Sequence, residues 1–459
     1  MNYKLLNISI FSRVVYKIIT YTITIVKHLI MILLKPLKYF LLAIVILLGS
    51  NIYAQTITLK ACHDSAEVNF PLVNQKEKLV KINALKLQNI GINYLPSLNL
   101  NAKATYQSDV TELPDLPFSG LSMPSPPNDQ YAATIDITQL IYDGGAIKAA
   151  KNITELSSQV ELQKIEVDIY KVKEQINLLY LTTLLIQENK KILNLTKETV
   201  SAQKTALESA VNNGVINVSE LDNLDAELLK LDQQIIEVSS QKKQLIDAVS
   251  ELSGITINED SNFEIPTIKT QAASSFYRPE HILFENQAKV LDASMLATQK
   301  KRMPTMAAFG SFGYGNPGMN MFNQEWDSYY MVGAQLKWNI WDWKKTNREM
   351  QQLGLQKEII SDNVDAFNQN LSISENEAQL REQKLNKLLE KDNEIVLIRK
   401  KISNRTALQM KNGTKTSADF IQDLNAEKQA SINLKSREIQ IIQAQIDQLS
   451  ITGKTLFNH

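Results

Sequence analysis

Two long stretches of the chain place apolar residues at the spacing of a packed α-helix. No glycine or proline lies between Gly145 and Gly214, and none occurs from residue 355 to 412, although Gly354 interrupts the start of the second stretch. Apolar side chains recur at steps of three and four, which is the stripe of a helix with one buried face. In the first stretch they include Ile165, Ile169, Val172, Ile176 and Leu179. The pattern predicts two long helices.

Each stretch ends at an Asn-Gly pair, Asn213-Gly214 in the first and Asn412-Gly413 in the second. Asn and Gly tolerate left-handed backbone and so end helices in tight turns. A further helical segment follows each pair, from residue 219 to 252 and from 417 to about 451. We therefore predict two helical hairpins with tips at Gly214 and Gly413.

The two hairpins belong to an internal repeat. Gly214 follows Asp143 by 71 positions, and Gly413 follows Asp342 by the same number. At 1.5 Å per residue, each predicted rod is about 100 Å long. The repeat divides the chain into an N-terminal segment and two structural repeats, which we place at residues 1–54, 55–257 and 258–459.

Short segments before each long helix alternate apolar and polar residues, as β-strands do. The alternation is clear at 98–107, 131–138 and 330–340, whereas Gly310 and Gly313 dilute it in the segment that precedes the last of these. A strand with one apolar and one polar face can separate lipid from an aqueous lumen, and it can equally be an ordinary half-buried strand. Four strands cannot close a barrel of useful bore, so membrane strands would have to be shared between chains. Three chains would supply twelve strands.

Four aromatic residues cluster at the predicted junctions between strands and long helices. They are Tyr142, Trp338, Trp341 and Trp343. Tyr and Trp are enriched where a membrane meets water. The cluster is either a belt at that interface or an ordinary core cluster.

The residues from Met31 onward have the order of a secretory signal. Lys35 and Lys38 precede the apolar run 39–48, and residues 52–54 (Ile-Tyr-Ala) form a candidate cleavage site before Gln55. The run is shorter than the roughly 20 residues that a transmembrane helix needs. We expect Met31 to be the true start and residues 1–30 to be an upstream gene-calling artefact. A genuine longer membrane anchor is the alternative.

Cys62 is the single cysteine, so an intramolecular disulfide is excluded. The preceding residues Leu59-Lys60-Ala61 loosely resemble a lipoprotein cleavage site, although a lysine is unusual there. Acylation of Cys62 and a role as a small buried residue both stay open.

Charge and composition argue against a nucleic-acid partner and against an enzyme. Residues 1–54 carry six Lys or Arg and no Asp or Glu, so the remainder has a net charge of −6, whereas phosphate binding needs a basic surface. The chain has four histidines, no Cys/His metal spacing and no phosphate- or dinucleotide-binding motif. We expect no catalytic residue, no metal site and no cofactor.

In the order, duplication and spacing of these features, the chain resembles the TolC-like outer membrane efflux protein family (outer membrane factors) over about residues 56–451. Similar landmarks are Tyr142-Asp143-Gly144-Gly145, Arg278-Pro279-Glu280 and the two hairpin tips. The resemblance implies a mainly α protein with a membrane β-barrel part. In such a homotrimer, four β-strands per chain share a twelve-stranded barrel, and long antiparallel helical hairpins continue it as an α-barrel.

The resemblance also implies a passive conduit, the outer membrane channel of a tripartite efflux or type I secretion system. The channel would lie in the outer membrane with its helical part in the periplasm, and residues 254–277 would form a belt around that part. Its partners would be outer membrane lipid, a periplasmic adaptor (membrane fusion protein) and an inner-membrane pump of RND or ABC type. The alternatives are a periplasmic coiled-coil adaptor or scaffold protein and a soluble coiled-coil structural protein. Membrane association separates the channel from both.

Finally, the resemblance implies a gate at the hairpin tips, closed in the family by a polar network. The matching positions are Glu220, Lys415 and Asp419. Lys415 stands where arginine is common, so a bidentate contact is lost. We expect Glu220 and Lys415 to pair across neighbouring hairpins and Asp419 to line the constriction. The alternative is that all three are solvated turn residues.

Overall fold

The computed structural model describes four ranges of the chain: residues 21–22, 56–111, 125–268 and 278–454. The predicted signal, including Met31, lies outside the described residues, and so does the end of the predicted belt. Contacts divide the chain into two units, Met1–Thr56 with Asp260–Asn262, and Ile57–Glu259 with Phe263–His459. The long helices and the main sheet all belong to the second unit.

Helices make up most of the described residues. They are α1 (Leu59–Asn69), α2 (Val73–Ile92), α3 (Ala146–Asn212), α4 (Ser219–Ser253), α5 (Pro279–Lys300), α6 (Lys345–Lys411) and α7 (Ser417–Thr452). The strands are β1 (Thr56–Ile57), β2 (Ser97–Tyr106), β3 (Asp129–Tyr142), β4 (Asn262–Phe263), β5 (Thr305–Asn316) and β6 (Asp327–Lys337). The short strands β1 and β4 pair with each other and were not predicted. In these ranges, no helix combines the length and the apolar character that crossing a membrane requires.

The two long helices have the same length. α3 and α6 contain 67 residues each, and their return helices α4 and α7 contain 35 and 36. The prediction of two matched helical hairpins is confirmed. The predicted interruption at Gly354 is wrong, because α6 starts at Lys345 and continues through the glycine. A single glycine costs a helix only about 1 kcal/mol, which the packing of a long helix can offset.

The four longer strands form one antiparallel sheet in the order β2-β3-β5-β6. The strand pairs of the two repeats meet where β3 pairs with β5, so β2 and β6 are the edges of the sheet. Both edge strands are unpaired on their outer side within the described chain.

The register gives this sheet two different faces. Leu100 lies opposite Ile135, and Ile135 lies opposite Phe312. Residues directly opposite each other on antiparallel strands share a face, so these three side chains lie together on an apolar face. On the other face, Asn101 donates a hydrogen bond of 2.6 Å to the carboxylate of Asp136. The predicted alternation is therefore aligned across the strands, with one apolar face and one polar face.

The main core lies where α1, α3, α4 and α7 meet the segment 255–268. The hydroxyl of the buried Tyr180 lies 2.7 Å from the carbonyl oxygen of Glu264, and its ring lies 5.0 Å from that of Phe263. The amide of Gln187 accepts from the Phe263 N–H (2.9 Å) and donates to the Phe263 carbonyl (3.0 Å). These contacts fasten the described part of the predicted belt to the middle of α3.

The long helices differ in how much of their apolar surface the chain itself covers. α3 contacts α1, α2, α4, α5 and α7, whereas α6 packs mainly against α5 and α7. Large apolar side chains of α6 consequently remain exposed: Ile359, Ile373, Leu380, Ile395, Leu397 and Ile398.

Candidate functional site

An aspartate organises the junction between the sheet and the first long helix. The carboxylate of Asp143 accepts hydrogen bonds from the backbone N–H groups of Gly145 (2.9 Å) and Ile147 (2.6 Å) and from the Tyr94 hydroxyl (2.9 Å). Burial raises the pKa of Asp143, but these hydrogen bonds outweigh it, so the pKa lies below its ordinary value. The charged form of Asp143 therefore caps the unpaired N–H groups at the start of α3.

Asp342 caps the second long helix in the same way. Its carboxylate accepts from the backbone N–H groups of Lys344 and Thr346, each at 3.0 Å, and from the Thr346 hydroxyl. The hydrogen bonds from Thr346 are the main reason that the pKa of Asp342 is lowered.

The two junctions use different residues for the same left-handed backbone. Gly144 and Gly145 have φ values of 67° and 86°, and in the second repeat Trp343 and Lys344 have φ values of 52° and 63°. Side chains other than glycine adopt this conformation at a cost. The second junction therefore places a large aromatic residue where the first has none.

The four predicted interface aromatics all lie on the surface of the chain. Trp341 and Trp343 are the most exposed, at 69% and 77%, and their rings meet edge to face at 5.7 Å. Trp338 donates from Nε1 to the carbonyl oxygen of Arg302 (3.1 Å). Together with Tyr142 they lie at the ends of β3 and β6 nearest the long helices, outside the core.

The hairpin tips have the geometry that the Asn-Gly pairs indicate. Gly214 and Gly413 adopt φ values of 71° and 70°, which are left-handed. A Cβ atom at either position would meet nothing within 4 Å, so the glycines serve the backbone conformation of the turn and make no close contact.

The three predicted gate residues line one cleft of about 410 Å³ between the two tips. The Glu220 carboxylate accepts from the backbone N–H of Ser417 (2.5 Å), the first residue of α7. Lys415 Nζ lies 3.6 Å from the carboxylate of Asp419. Within the described chain, therefore, no ion pair joins Glu220 to Lys415.

The local partners explain this difference. Asp419 lies in the first turn of α7 and Lys415 just before its N-cap Thr416, so the two charges are close together along the chain. Asp419 also accepts from the backbone N–H of Thr416 (3.2 Å), and hydrogen bonds from Thr416 are the first cause of its lowered pKa. Glu220 binds instead at the N-terminus of α7, where the helix dipole favours an anion.

Further polar contacts join the two hairpins below the tips along α4 and α7. They link Asn223 to Ser417 (3.3 Å), Glu227 to Asn425 (3.0 Å) and Gln234 to Lys428 (3.3 Å). We call these pairs, with Glu220–Ser417, the hairpin seam. The seam was not predicted, although Glu220, Glu227 and Gln234 recur at intervals of seven, two helical turns.

A charged cluster holds the start of α5 against α3. Arg278, named in the sequence only as part of a helix start, has a side chain that is 10% exposed. Its guanidinium makes two contacts with Glu280 (2.8 and 3.1 Å), one with Glu174 (3.1 Å), and lies 4.7 Å above the ring of Tyr170. This cluster is structural, because every charge in it has a partner within the chain.

The remaining titratable groups of interest are in the core. His63 Nε2 forms a hydrogen bond with Oδ1 of Asn177 (2.7 Å), and burial lowers the pKa of His63 to about 4. Cys62, whose acylation the sequence left open, is fully buried, and burial raises its pKa to about 12. Within the described ranges, no group of three or more His, Cys, Asp or Glu residues is placed to hold a metal ion.

Residues 91–254, which span the first strand pair and the whole first hairpin, match the outer membrane efflux protein family. No curated protein matches the chain.

Solved structures with the same fold include the outer membrane protein VceC of Vibrio cholerae (TM-score 0.61, 12% identity, covering 87% of this chain and 97% of that one). Two others are outer membrane channels. CmeC of Campylobacter jejuni has a TM-score of 0.61 at 12% identity, covering 86% of this chain and 85% of that one. MtrE of Neisseria gonorrhoeae, in its open state, has a TM-score of 0.59 at 14% identity, covering 87% and 89%.

The family match and the shared fold agree. The family match covers most of the first repeat, and the structural likeness extends over both repeats. Together they confirm the predicted resemblance to the TolC-like outer membrane efflux protein family, and with it the predicted outer membrane location and the prediction that the chain is not an enzyme.

Proposed function

We propose that the chain is the outer membrane channel component of a tripartite efflux or type I secretion system and works as a homotrimer. The observation that supports this most directly is the sheet, which has an apolar face and two unpaired edges, β2 and β6. Unpaired backbone groups are costly in lipid, where no water can satisfy them. Pairing β6 of one chain with β2 of the next removes both edges, and three copies give a closed barrel of twelve strands.

The exposed stripe of α6 supports the same assembly in the helical part. Its apolar residues, such as Ile373 and Leu380, are more than half exposed in the single chain. A helix with apolar residues on both faces is stable in water only if a neighbour covers the second face. In the trimer, that neighbour is a hairpin of the next chain, and the hairpins form the proposed α-barrel.

In this assembly each repeat, 55–257 and 258–459, contributes one strand pair and one hairpin. The exposed aromatics Tyr142, Trp338, Trp341 and Trp343 lie at the inner boundary of the outer membrane. The helices extend into the periplasm toward an adaptor and an inner-membrane pump of RND or ABC type, which supply the energy that a passive conduit lacks. Signal cleavage before residue 55 precedes assembly.

The hairpin tips form the gate in this proposal. Glu220 holds the start of α7, and the Lys415–Asp419 pair lies beside it in the same cleft. Opening then requires the second hairpin to part from the first along the hairpin seam. The conducting state lacks at least the contact between Glu220 and Ser417.

The test is to express residues 31–459 in a Gram-negative host, extract the envelope in mild detergent and measure the native mass of the particle. We expect a trimer from the outer membrane fraction that forms discrete conductance steps in a planar bilayer. A monomer from the soluble periplasm would contradict the channel and favour an adaptor or scaffold protein. A membrane-bound trimer that stays non-conducting even when Glu220 is replaced by alanine would contradict the conduit alone.

A further inference from the structure

Trp326 lies between two tyrosines at the end of the sheet farthest from the long helices. Its ring stacks on Tyr131 (centroids 5.9 Å apart, 22° between planes) and on Tyr314 (5.4 Å, 23°). Trp326 is the last residue of the loop between β5 and β6, and its side chain packs on the neighbouring strands β3 and β5. Half of the Trp326 surface nevertheless stays exposed, at 50%.

The register decides on which face of the sheet this stack lies. Tyr131 precedes Ile135 by four residues and Tyr314 follows Phe312 by two, and side chains two apart on a strand share a face. Ile135 and Phe312 lie on the apolar face, so the stack lies there too. Tyr106, which ends β2 and is 79% exposed, shares this face because it follows Leu100 by six residues.

The rest of the loop is also apolar on its surface. Met319, Met321 and Phe322 are exposed at 58%, 46% and 37%. Asn320 accepts from the Phe322 N–H (3.2 Å), and Gln324 donates to the carbonyl oxygen of Ser125 (2.7 Å). Polar side chains of the loop thus form hydrogen bonds to the backbone, whereas its apolar side chains are exposed.

The distance between the two aromatic sets matches a membrane. Tyr142 follows Tyr131 by 11 positions on β3, but a bulge between Leu140 and Tyr142 takes up one of them, since the partners on β5 are Asn316 and Met306. At about 3.3 Å per residue the ten remaining steps are about 33 Å along the strand. With the strand tilt of roughly 35–45° found in outer membrane barrels, this becomes about 23–27 Å along the membrane normal, close to the roughly 25 Å apolar band of such barrels.

The face between the two sets is suited to lipid. Its residues on β2 and β3 are Leu98, Leu100, Ala102, Ala104, Ala133, Ile135, Ile137 and Gln139. Gln139 is the single polar one of these, and its amide donates to the carbonyl oxygens of Tyr94 (2.6 Å) and Leu140 (2.9 Å). None of the residues on this face between the two sets is Asp, Glu, Lys or Arg. Charges on the lipid face are the substitutions that membrane barrels tolerate least.

From these observations we propose that Trp326, stacked between Tyr131 and Tyr314, anchors the β5–β6 loop in the headgroup region of the outer leaflet. With Tyr106, these residues form the outer counterpart of the set at Tyr142 and the three other tryptophans. The loop consequently lies against lipid and leaves the mouth of the bore clear. This inference rests on the proposed function, because it needs the sheet to span the outer membrane.

Tryptophan fluorescence tests the proposal, since the chain has only four tryptophans. One variant, Trp338→Phe with Trp341→Phe and Trp343→Phe, keeps Trp326 alone. A matched variant, Trp326→Phe with Trp341→Phe and Trp343→Phe, keeps Trp338 alone. Each is reconstituted as the full mature chain in phosphatidylcholine vesicles, after native mass confirms the oligomeric state of the parent. The lipids carry bromine either near the headgroup or at the chain end.

We expect both variants to lose more fluorescence with bromine near the headgroup than with bromine at the chain end. One outcome would be that brominated lipid quenches Trp338 while only aqueous iodide quenches Trp326. In that case Trp326 does not anchor the loop in lipid, whereas the proposal that the sheet spans the membrane still holds. Stronger quenching of Trp326 by bromine at the chain end would also overturn an interfacial position. If neither tryptophan is quenched by lipid, the sheet is outside the bilayer and the proposed function fails with the inference.

Discussion

The carboxylates of Asp143 and Asp342 accept hydrogen bonds from the same two backbone positions in the two repeats, the N–H groups two and four residues ahead. The equivalence extends to the left-handed residues that follow each aspartate. It does not extend to burial, because Asp143 is 6% exposed and also accepts from Tyr94. The two junctions therefore share the same hydrogen-bond pattern and backbone conformation but differ in the burial of the aspartate.

Replacement of Asp143 by alanine should destabilise the chain by about 1–2 kcal/mol, since a helix cap is lost and the Ile147 N–H is left buried without a partner. Asp342→Ala should destabilise it less, because water can reach the second junction. Thermal unfolding in the same detergent measures both variants. Equal losses would contradict the role assigned to burial.

The left-handed backbone after each aspartate allows a matched pair of substitutions. Gly145→Ala should cost about 1 kcal/mol through backbone strain alone, because the nearest side-chain atom, on Lys300, would lie 3.6 Å from the new Cβ. Lys344→Gly should stabilise by less than about 1 kcal/mol, since glycine relieves the strain but loses more entropy on folding. A loss of stability in Lys344→Gly would show that the lysine side chain compensates for the strain.

His63 should make stability depend on pH. Its pKa is lowered to about 4 by burial, so the folded state favours the neutral ring. The unfolded chain binds a proton below about pH 6.5, so stability is fully present above that pH and is lost as the pH falls toward 4. Thermal unfolding at pH 7 and pH 5 should show the loss, and His63→Gln should reduce it. An unchanged pH dependence in His63→Gln would exclude His63 as its source.

Arg278 should be among the costliest single charges to remove. Arg278→Met leaves Glu280 and Glu174 without their main partner, which costs about 3 kcal/mol when a pair is largely buried. The control is Lys391→Ala, because Lys391 and Glu394 are both more than 60% exposed, and such a pair contributes less than about 0.5 kcal/mol. Urea unfolding compares the two. Similar losses would mean that solvent screens the Arg278 cluster.

The gate proposal predicts a leakier channel when the tip contacts are removed. Glu220→Ala deletes the acceptor for the Ser417 N–H, and Asp419→Ala deletes the partner of Lys415 and a cap of α7. Each variant should open more often in single-channel recordings. Asp222→Ala, in the same first turn of α4 as Glu220, is the matched control and should behave as the parent does. If neither gate variant opens more often than the parent, the proposal that the tip contacts close the channel is wrong.

Local patterns in the sequence predicted most of the fold. The equal spacing of 71 positions from Asp143 to Gly214 and from Asp342 to Gly413 predicted the matched lengths of α3 and α6. Alternation located β2, β3 and β6 clearly and β5 only weakly. The strands β1 and β4 were not predicted, because a strand of two residues is too short to show an alternating pattern. Arg278 was named only as a helix start, since its partner Glu174 lies 104 positions away and no local pattern connects them.

The sequence indicated Glu220, Lys415 and Asp419 as gate residues, and all three line one cleft. Their role as a gate stays a prediction. Within the described chain Lys415 pairs with Asp419, four residues along, whereas Glu220 contacts the Ser417 N–H, which lies 197 positions away and which no local pattern indicates. Trp326 was missed because it lies in a loop, where neither helical nor strand periodicity applies.

The matched length of α3 and α6 has a consequence for how such a chain can evolve. Deleting one residue from either helix would shorten it by about 1.5 Å and rotate everything beyond by about 100°. In the first hairpin, that rotation would turn Glu220, Glu227 and Gln234 away from α7. Insertions and deletions should therefore survive only when both repeats change by the same number of residues, with steps of seven tolerated best. Loops such as the one between β2 and β3 carry no such restriction, so lineages should diverge in length there first.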